Sequence, residues 1–182
     1  PDGVVVVSTG NFFLEEHPLG GVNGGFMRGN GEFRNEGNAV LTAGGLRNFH
    51  EFHNVGTLTL NPAAVSELEI NSSRIRNDGI LTWSRGDFSL SNAENQARKG
   101  EIWNFHILNI QSNGIVASEV QAVGAEIRNE ATGVVTNGAV ADCTIQVLFQ
   151  NLGLVNLNGG TARFEGGFLQ ESGELDLAAG EA

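Results

Sequence analysis

From residue 33 onwards the chain repeats one arrangement of apolar and polar positions. A large apolar residue is followed two places later by Asn, usually two places after that by Gly, and then by apolar residues at every second position. The copies begin at Phe33 (FRNEGNAVL), Phe52 (FHNVGTLTL), Ile75 (IRNDGILTW), Ile102 (IWNFHILNI), Ile127 (IRNEATGVV), Phe149 (FQNLGLVNL) and Phe168 (FLQESGELDL). Within a copy the apolar residues share one parity, as in Phe52, Leu58 and Leu60, which is the pattern of a strand with one buried face. Further alternation upstream, at Leu68 and Ile70, Phe88 and Leu90, and Ile145 and Val147, adds at least one more strand per repeat.

Successive copies are 19, 23, 27, 25, 22 and 19 residues apart, the length of one winding of a parallel β-solenoid. A leucine-rich repeat of similar length needs a helical or 3₁₀ return, and stretches such as NPAAVSE are too short to supply one. The reading is an all-β, right-handed parallel β-helix of about seven to eight coils, the handedness following from crossover preference. Asn35, Asn54, Asn77, Asn104, Asn129 and Asn151 share one phase, with Gln170 in the last copy. Rungs about 4.8 Å apart would stack these carboxamides into an internal ladder, each donating to one neighbour and accepting from the other. Gly37, Gly56, Gly79 and Gly153 would relieve the bend that follows, with His106 and Ala131 breaking that column. Residues 1–32 read as degenerate N-terminal coils or a cap within one domain spanning 1–182. The start at Pro1 and the bare ends suggest an excerpt of a longer chain or end-to-end association.

The outward positions carry a second regularity. After the anchor come Arg34, His53, Arg76, Trp103, Arg128, Gln150 and Leu169, and after the Asn come Glu36, Val55, Asp78, Phe105, Glu130, Leu152 and Glu171. Charged and uncharged coils alternate through the first five copies, which keeps like charges from lying directly opposite each other. The Arg-Asn-acid triplets suit surface ion pairing. Trp103 and Phe105 form an exposed aromatic pair, so Trp103, Phe105, Arg76 and Arg128 are the candidate ligand or partner surface.

Composition agrees with the strand reading. Glycine supplies 26 of 182 residues and asparagine 20, a balance that favours turns over helix. The net charge of −11 with ten basic residues opposes nucleic-acid binding. The longest aliphatic run, Val4 to Val7, is far too short to insert in a membrane as a helix.

Few residues suggest chemistry. Cys143 is the only cysteine, which excludes an internal disulfide, and it reads as a small buried apolar group. His50 and His53 fall on opposite strand faces, and His17 and His106 have no coordinating companions, so no metal and no cofactor are expected. Glu36, Asp78 and Glu130 recur on one column, but each stands beside an Arg, and no catalytic residue is assigned. Asn71-Ser72-Ser73 is a formal glycosylation sequon. Thr57 and Thr59 do not start a threonine ladder, the corresponding sites being read as Ile80 and Thr82, Ile107 and Asn109, then Thr132 and Val134.

The FxNxGxLxL repeat, with trailing Gly-Gly in LTAGG and LNGG, resembles the degenerate repeats of right-handed parallel β-helix proteins, closest to filamentous-haemagglutinin-like and autotransporter adhesin passengers. Ser112-Asn113-Gly114-Ile115 resembles part of the NPNGI segment of haemagglutinin secretion domains, without its proline. The resemblance covers residues 33–177 and implies a secreted or cell-surface rod used for adhesion or in a fibre. The function expected is structural or adhesive and non-enzymatic. A polysaccharide-binding or polysaccharide-processing helix and a self-assembling filament subunit are the alternatives. Expected partners are further copies or neighbouring coils stacked end to end, and surface glycans.

Overall fold

The computed structural model describes residues 5–14, 25–63, 68–92, 97–118, 124–138, 141–157 and 159–177. His17 and the parts of the irregular N-terminal stretch at 1–4 and 15–24 lie outside them. Among the described residues every regular element is a strand, and every strand pair is parallel to its neighbour in the adjacent winding. Each full winding lays down three strands, one more than the minimum expected from sequence, on three faces of a parallel β-solenoid.

The first face is built from Leu68–Asn71, Phe88–Ser91, Ile115–Ser118, Asp142–Ile145 and Thr161–Phe164. The second, the ladder face, holds Arg74–Asn77, Glu101–Asn104, Glu126–Asn129, Leu148–Asn151 and Phe168–Gln170. Two long strands, Phe26–Asn35 and Gly44–Asn54, continue through the corner between these faces and join them into one 13-stranded sheet. The third face is an 8-stranded sheet running from Asn11–Leu14 to Glu174–Leu177. About six windings have a packed interior. The winding at 161–177 is largely open, and Val6 and Val7 at the other end are about half exposed. The packed count falls below the seven to eight expected because an outermost winding stacks on one side only.

The regular spacing in sequence has a local cause. The corner between the ladder face and the third face is two residues long in most windings, at Glu36–Gly37, Val55–Gly56, Asp78–Gly79, Phe105–His106 and Leu152–Gly153. The second of those two residues is pressed against the winding before it. A Cβ on Gly56 would run into the carbonyl oxygen of Gly37, and one on Gly79 into that of Gly56, so crowding, not a left-handed φ, demands glycine here. One winding inserts Ala131 and Thr132, which moves Gly133 into the column; its carbonyl accepts from Leu154 N as that of Gly56 does from Ile80 N. Ala131 therefore does not break the glycine column, and His106 alone does among the described positions. The variable length falls in the other two connections, between Leu60 and Leu68, Ser91 and Glu101, and Ser118 and Glu126.

Inside, anchors from successive windings stack in register: Phe33 on Phe52, Phe52 on Ile75, Ile75 on Ile102, Ile102 on Ile127, Ile127 on Phe149. Phenylalanines gather towards the two ends, with Phe33 and Phe52 centroids 5.1 Å apart and Phe149 and Phe168 5.6 Å apart. Isoleucine fills the middle. On the first face the inward pair in the sixth packed winding is Cys143 and Ile145, both fully buried, and Val147 sits at the corner instead of continuing the strand. Each buried methylene removed from water contributes about 0.8 kcal/mol, and the parallel register repeats that contribution winding after winding.

Candidate functional site

The internal column is continuous. Nδ2 of Asn35 donates to Oδ1 of Asn54 at 2.7 Å, Asn54 to Asn77 at 2.7 Å, Asn77 to Asn104 at 2.7 Å, Asn104 to Asn129 at 2.8 Å and Asn129 to Asn151 at 2.8 Å. Asn151 donates to Oε1 of Gln170 at 3.0 Å, and the longer Gln side chain closes the series by donating to its own bend, at Ser172 O. All six asparagines are fully buried. The second amide hydrogen goes to a main-chain carbonyl of the next winding, as from Asn35 to Thr57 O at 2.9 Å and from Asn77 to Ile107 O at 2.8 Å. The column thus pins both the strand end and the tight corner beyond it. At its start, Asn35 Oδ1 is buried with no donor, since Ser8 occupies the ladder position one winding earlier.

On the outside of the ladder face the expected column is in register: Arg34 beside His53, then Arg76, Trp103, Arg128, Gln150 and Leu169. The Arg-Asn-acid triplets pair as expected, Arg34 to Glu36 at 2.7 Å, Arg76 to Asp78 at 3.0 Å and Arg128 to Glu130 at 2.7 Å.

Trp103 and Phe105 correct the sequence reading, being only half-buried instead of exposed. The Arg74 guanidinium lies 3.7 Å from the Trp103 ring centroid, with Arg128 at 5.9 Å, and Arg76 lies 4.9 Å from that of Phe105. Arginines flank Trp103 in both adjacent windings, and the attraction of a guanidinium for an aromatic face covers rings that sequence alone leaves bare.

A further column escaped the sequence reading. The residue before each anchor also points outward: Glu32, Glu51, Arg74, Glu101 and Glu126. Its signal was present in the sequence at anchor minus one. Arg74 bridges Glu51 at 3.5 Å and Glu101 at 3.0 Å. Burial raises the Glu126 carboxyl above its ordinary value, an effect tempered by Lys99 3.9 Å away. Glu32 and Glu51 lie directly opposite each other on adjacent windings, and a ring nitrogen of His53, which is 9 % exposed, lies within 4.8 Å of a carboxylate oxygen of each. His50, by contrast, is exposed.

Two other sequence features are settled by burial and register. Asn71, Ser72 and Ser73 are buried, so the sequon offers no side chain for a glycan in the folded chain. On the third face the inserted pair shifts the alignment by two: Thr59 stands beside Thr82, Thr82 beside Asn109, and then Ile107 beside Val134, not Thr132, and Asn109 beside Thr136, not Val134. Thr136 Oγ1 donates to Asn109 Oδ1 at 2.8 Å.

Comparison of the chain with protein-family models, with curated proteins and with solved structures finds no match.

Proposed function

We propose that this chain is a non-enzymatic rod, a structural or adhesive element of a cell-surface fibre, as its likeness to adhesin passenger repeats suggests. The supporting observation is the unbroken carboxamide column from Asn35 to Gln170. Every packed winding spends its least replaceable interior position on being locked to the next. Eight stacked strands on the third face, at about 4.8 Å per step, make a rod of about 34 Å. The outward acids Glu36, Asp78 and Glu130 are each held by the arginine two residues away, an arrangement that serves solubility and register. Sugar stacking on Trp103 or Phe105 has to displace the guanidinium groups already there.

The partner we propose is another solenoid winding stacked on residues 161–177, where Leu175 and Leu177, in register with Val155 and Leu157, are 41 % and 61 % exposed. Incubation with a panel of polysaccharides, read by reducing-sugar release, tests the non-enzymatic part. No release is expected, and turnover lost in Glu130→Gln overturns it. Beads carrying the chain are expected to adhere to cells or matrix, and small-angle scattering is expected to report a stiff rod.

A further inference from the structure

Glu32, Glu51 and His53 gather on the outside of the ladder face, apart from the internal carboxamide column. The two carboxylates face one another across adjacent windings, an arrangement that costs stability unless a positive charge lies between them. One ligand-capable atom from each of the three side chains lies within 4.8 Å of the others, with His53 Nδ1 3.2 Å from Glu32 Oε1. On the far side of the ring, His53 Nε2 is 2.6 Å from Asp78 Oδ2, and that carboxylate is itself held by Arg76 Nε at 3.0 Å. With its proton donated from Nε2 to Asp78, the imidazole turns the Nδ1 lone pair towards the Glu32 carboxylate, acceptor facing acceptor. The nearest donor is Arg34 Nη1 at 3.4 Å, whose Nε is committed to Glu36 at 2.7 Å.

Charge gives a second argument. The arginines nearest the cluster are already engaged by other acids: Arg34 by Glu36 at 2.7 Å, Arg74 by Glu101 at 3.0 Å and Arg76 by Asp78 at 3.0 Å. A cation seated between Glu32 and Glu51 supplies positive charge where the two carboxylates meet.

We propose that Glu32, Glu51 and His53 bind a divalent transition-metal ion, with Zn²⁺ as the reference ion. Asp78 is the outer partner that fixes the imidazole tautomer. One imidazole nitrogen with two carboxylate oxygens is a borderline donor set, suited to zinc and its neighbours more than to calcium. Bonds of about 2.1 Å to a tetrahedral ion place its ligand atoms about 3.4 Å apart, close to the 3.2 Å observed between Nδ1 and Glu32. A carboxylate on the remote nitrogen of a ligating His is the usual second partner in such sites. The fourth position is left for water or for a donor from a partner surface. Bound there, the ion ties the winding of Glu32 to that of Glu51.

The test is calorimetric titration of the EDTA-treated 182-residue chain with ZnCl₂ at pH 7.5, alongside Co²⁺ titration read by visible absorption. One site per chain is expected, with a cobalt spectrum of a nitrogen and oxygen donor set. Affinity is expected to fall at least tenfold in His53→Asn and Glu51→Gln, and roughly tenfold or more in Asp78→Asn. Should His53→Asn fail to fold by circular dichroism, the half-buried Glu51→Gln carries the comparison. Equal zinc affinity in wild type and Glu51→Gln overturns the proposal, as does calcium binding as tight as zinc. The absence of any heat of zinc binding would leave only an ion-paired histidine and overturns it too.

Discussion

Replacing Asn77 by Ala removes one rung from the middle of the column. Asn77 Nδ2 supplies Asn104 Oδ1 at 2.7 Å and Ile107 O at 2.8 Å, and its Oδ1 receives Asn54 Nδ2 at 2.7 Å. After the change, Asn104 Oδ1 is stranded in a dry interior, a loss of about 1–3 kcal/mol. Asn54 Nδ2 keeps Ile80 O at 3.1 Å, so its penalty is smaller. The small void left by the carboxamide adds about 1 kcal/mol. The sum is roughly 2–4 kcal/mol, which lowers the melting temperature of a chain of this size by about 10 °C. Gln170→Ala is the matched control. Its neighbour Asn151 retains Glu174 O at 3.2 Å, and among the described residues its own amide serves only Ser172 O. Its expected cost is about 1 kcal/mol or less. Urea midpoints for the two variants measure the difference. Equal midpoints, or an Asn77→Ala midpoint matching wild type, would refute the claim that buried carboxamides carry this stability.

Further outcomes follow from the same geometry. Ser8→Asn places a donor over the unpaired Asn35 Oδ1 and is expected to raise the urea midpoint by an amount equivalent to about 1 kcal/mol. Gly79→Ala forces a methyl against the Gly56 carbonyl; it is expected to cost about 2 kcal/mol or more, whereas Ala at the already substituted position, His106→Ala, is expected to be close to neutral by thermal melt. Cys143 is fully buried and its thiol is pushed up to about 11 by that burial, so it is expected to resist a thiol-specific reagent at pH 7.5 until the chain is unfolded in guanidinium. Burial raises the Glu126 carboxyl above its ordinary 4.5. The folded chain therefore holds that proton more tightly than the unfolded one, and the associated stability is present below about pH 4.5 and is lost as pH rises through the folded value. Glu126→Gln does not ionise, so its stability relative to wild type is expected to increase above pH 4.5, read as urea midpoints across pH 4–8.

The repeat in the sequence already determined that the chain winds, which residues face inward and where the carboxamides stack. These follow from short-range necessity: alternation puts Phe52, Leu58 and Leu60 on one side, and a two-residue corner joins each Asn to the next strand in most windings. Except at His106, the bend leaves no room for a Cβ, so glycine marks it even where two residues are inserted, as at Gly133. The third strand of each winding was less legible, because its corners vary in length and carry no constant residue. The outward columns and their Arg-acid pairs were legible too, but which outer side chains meet across windings was decided only by the stacking of windings that are 19 to 27 residues apart. That register sets Arg74 over Trp103, turning a bare aromatic into a covered one, and sets Glu32 against Glu51 with His53 beside them. Side-chain reach across a 4.8 Å rung depends on which residue of one winding meets which residue of the next, and a single winding read by itself does not contain that information.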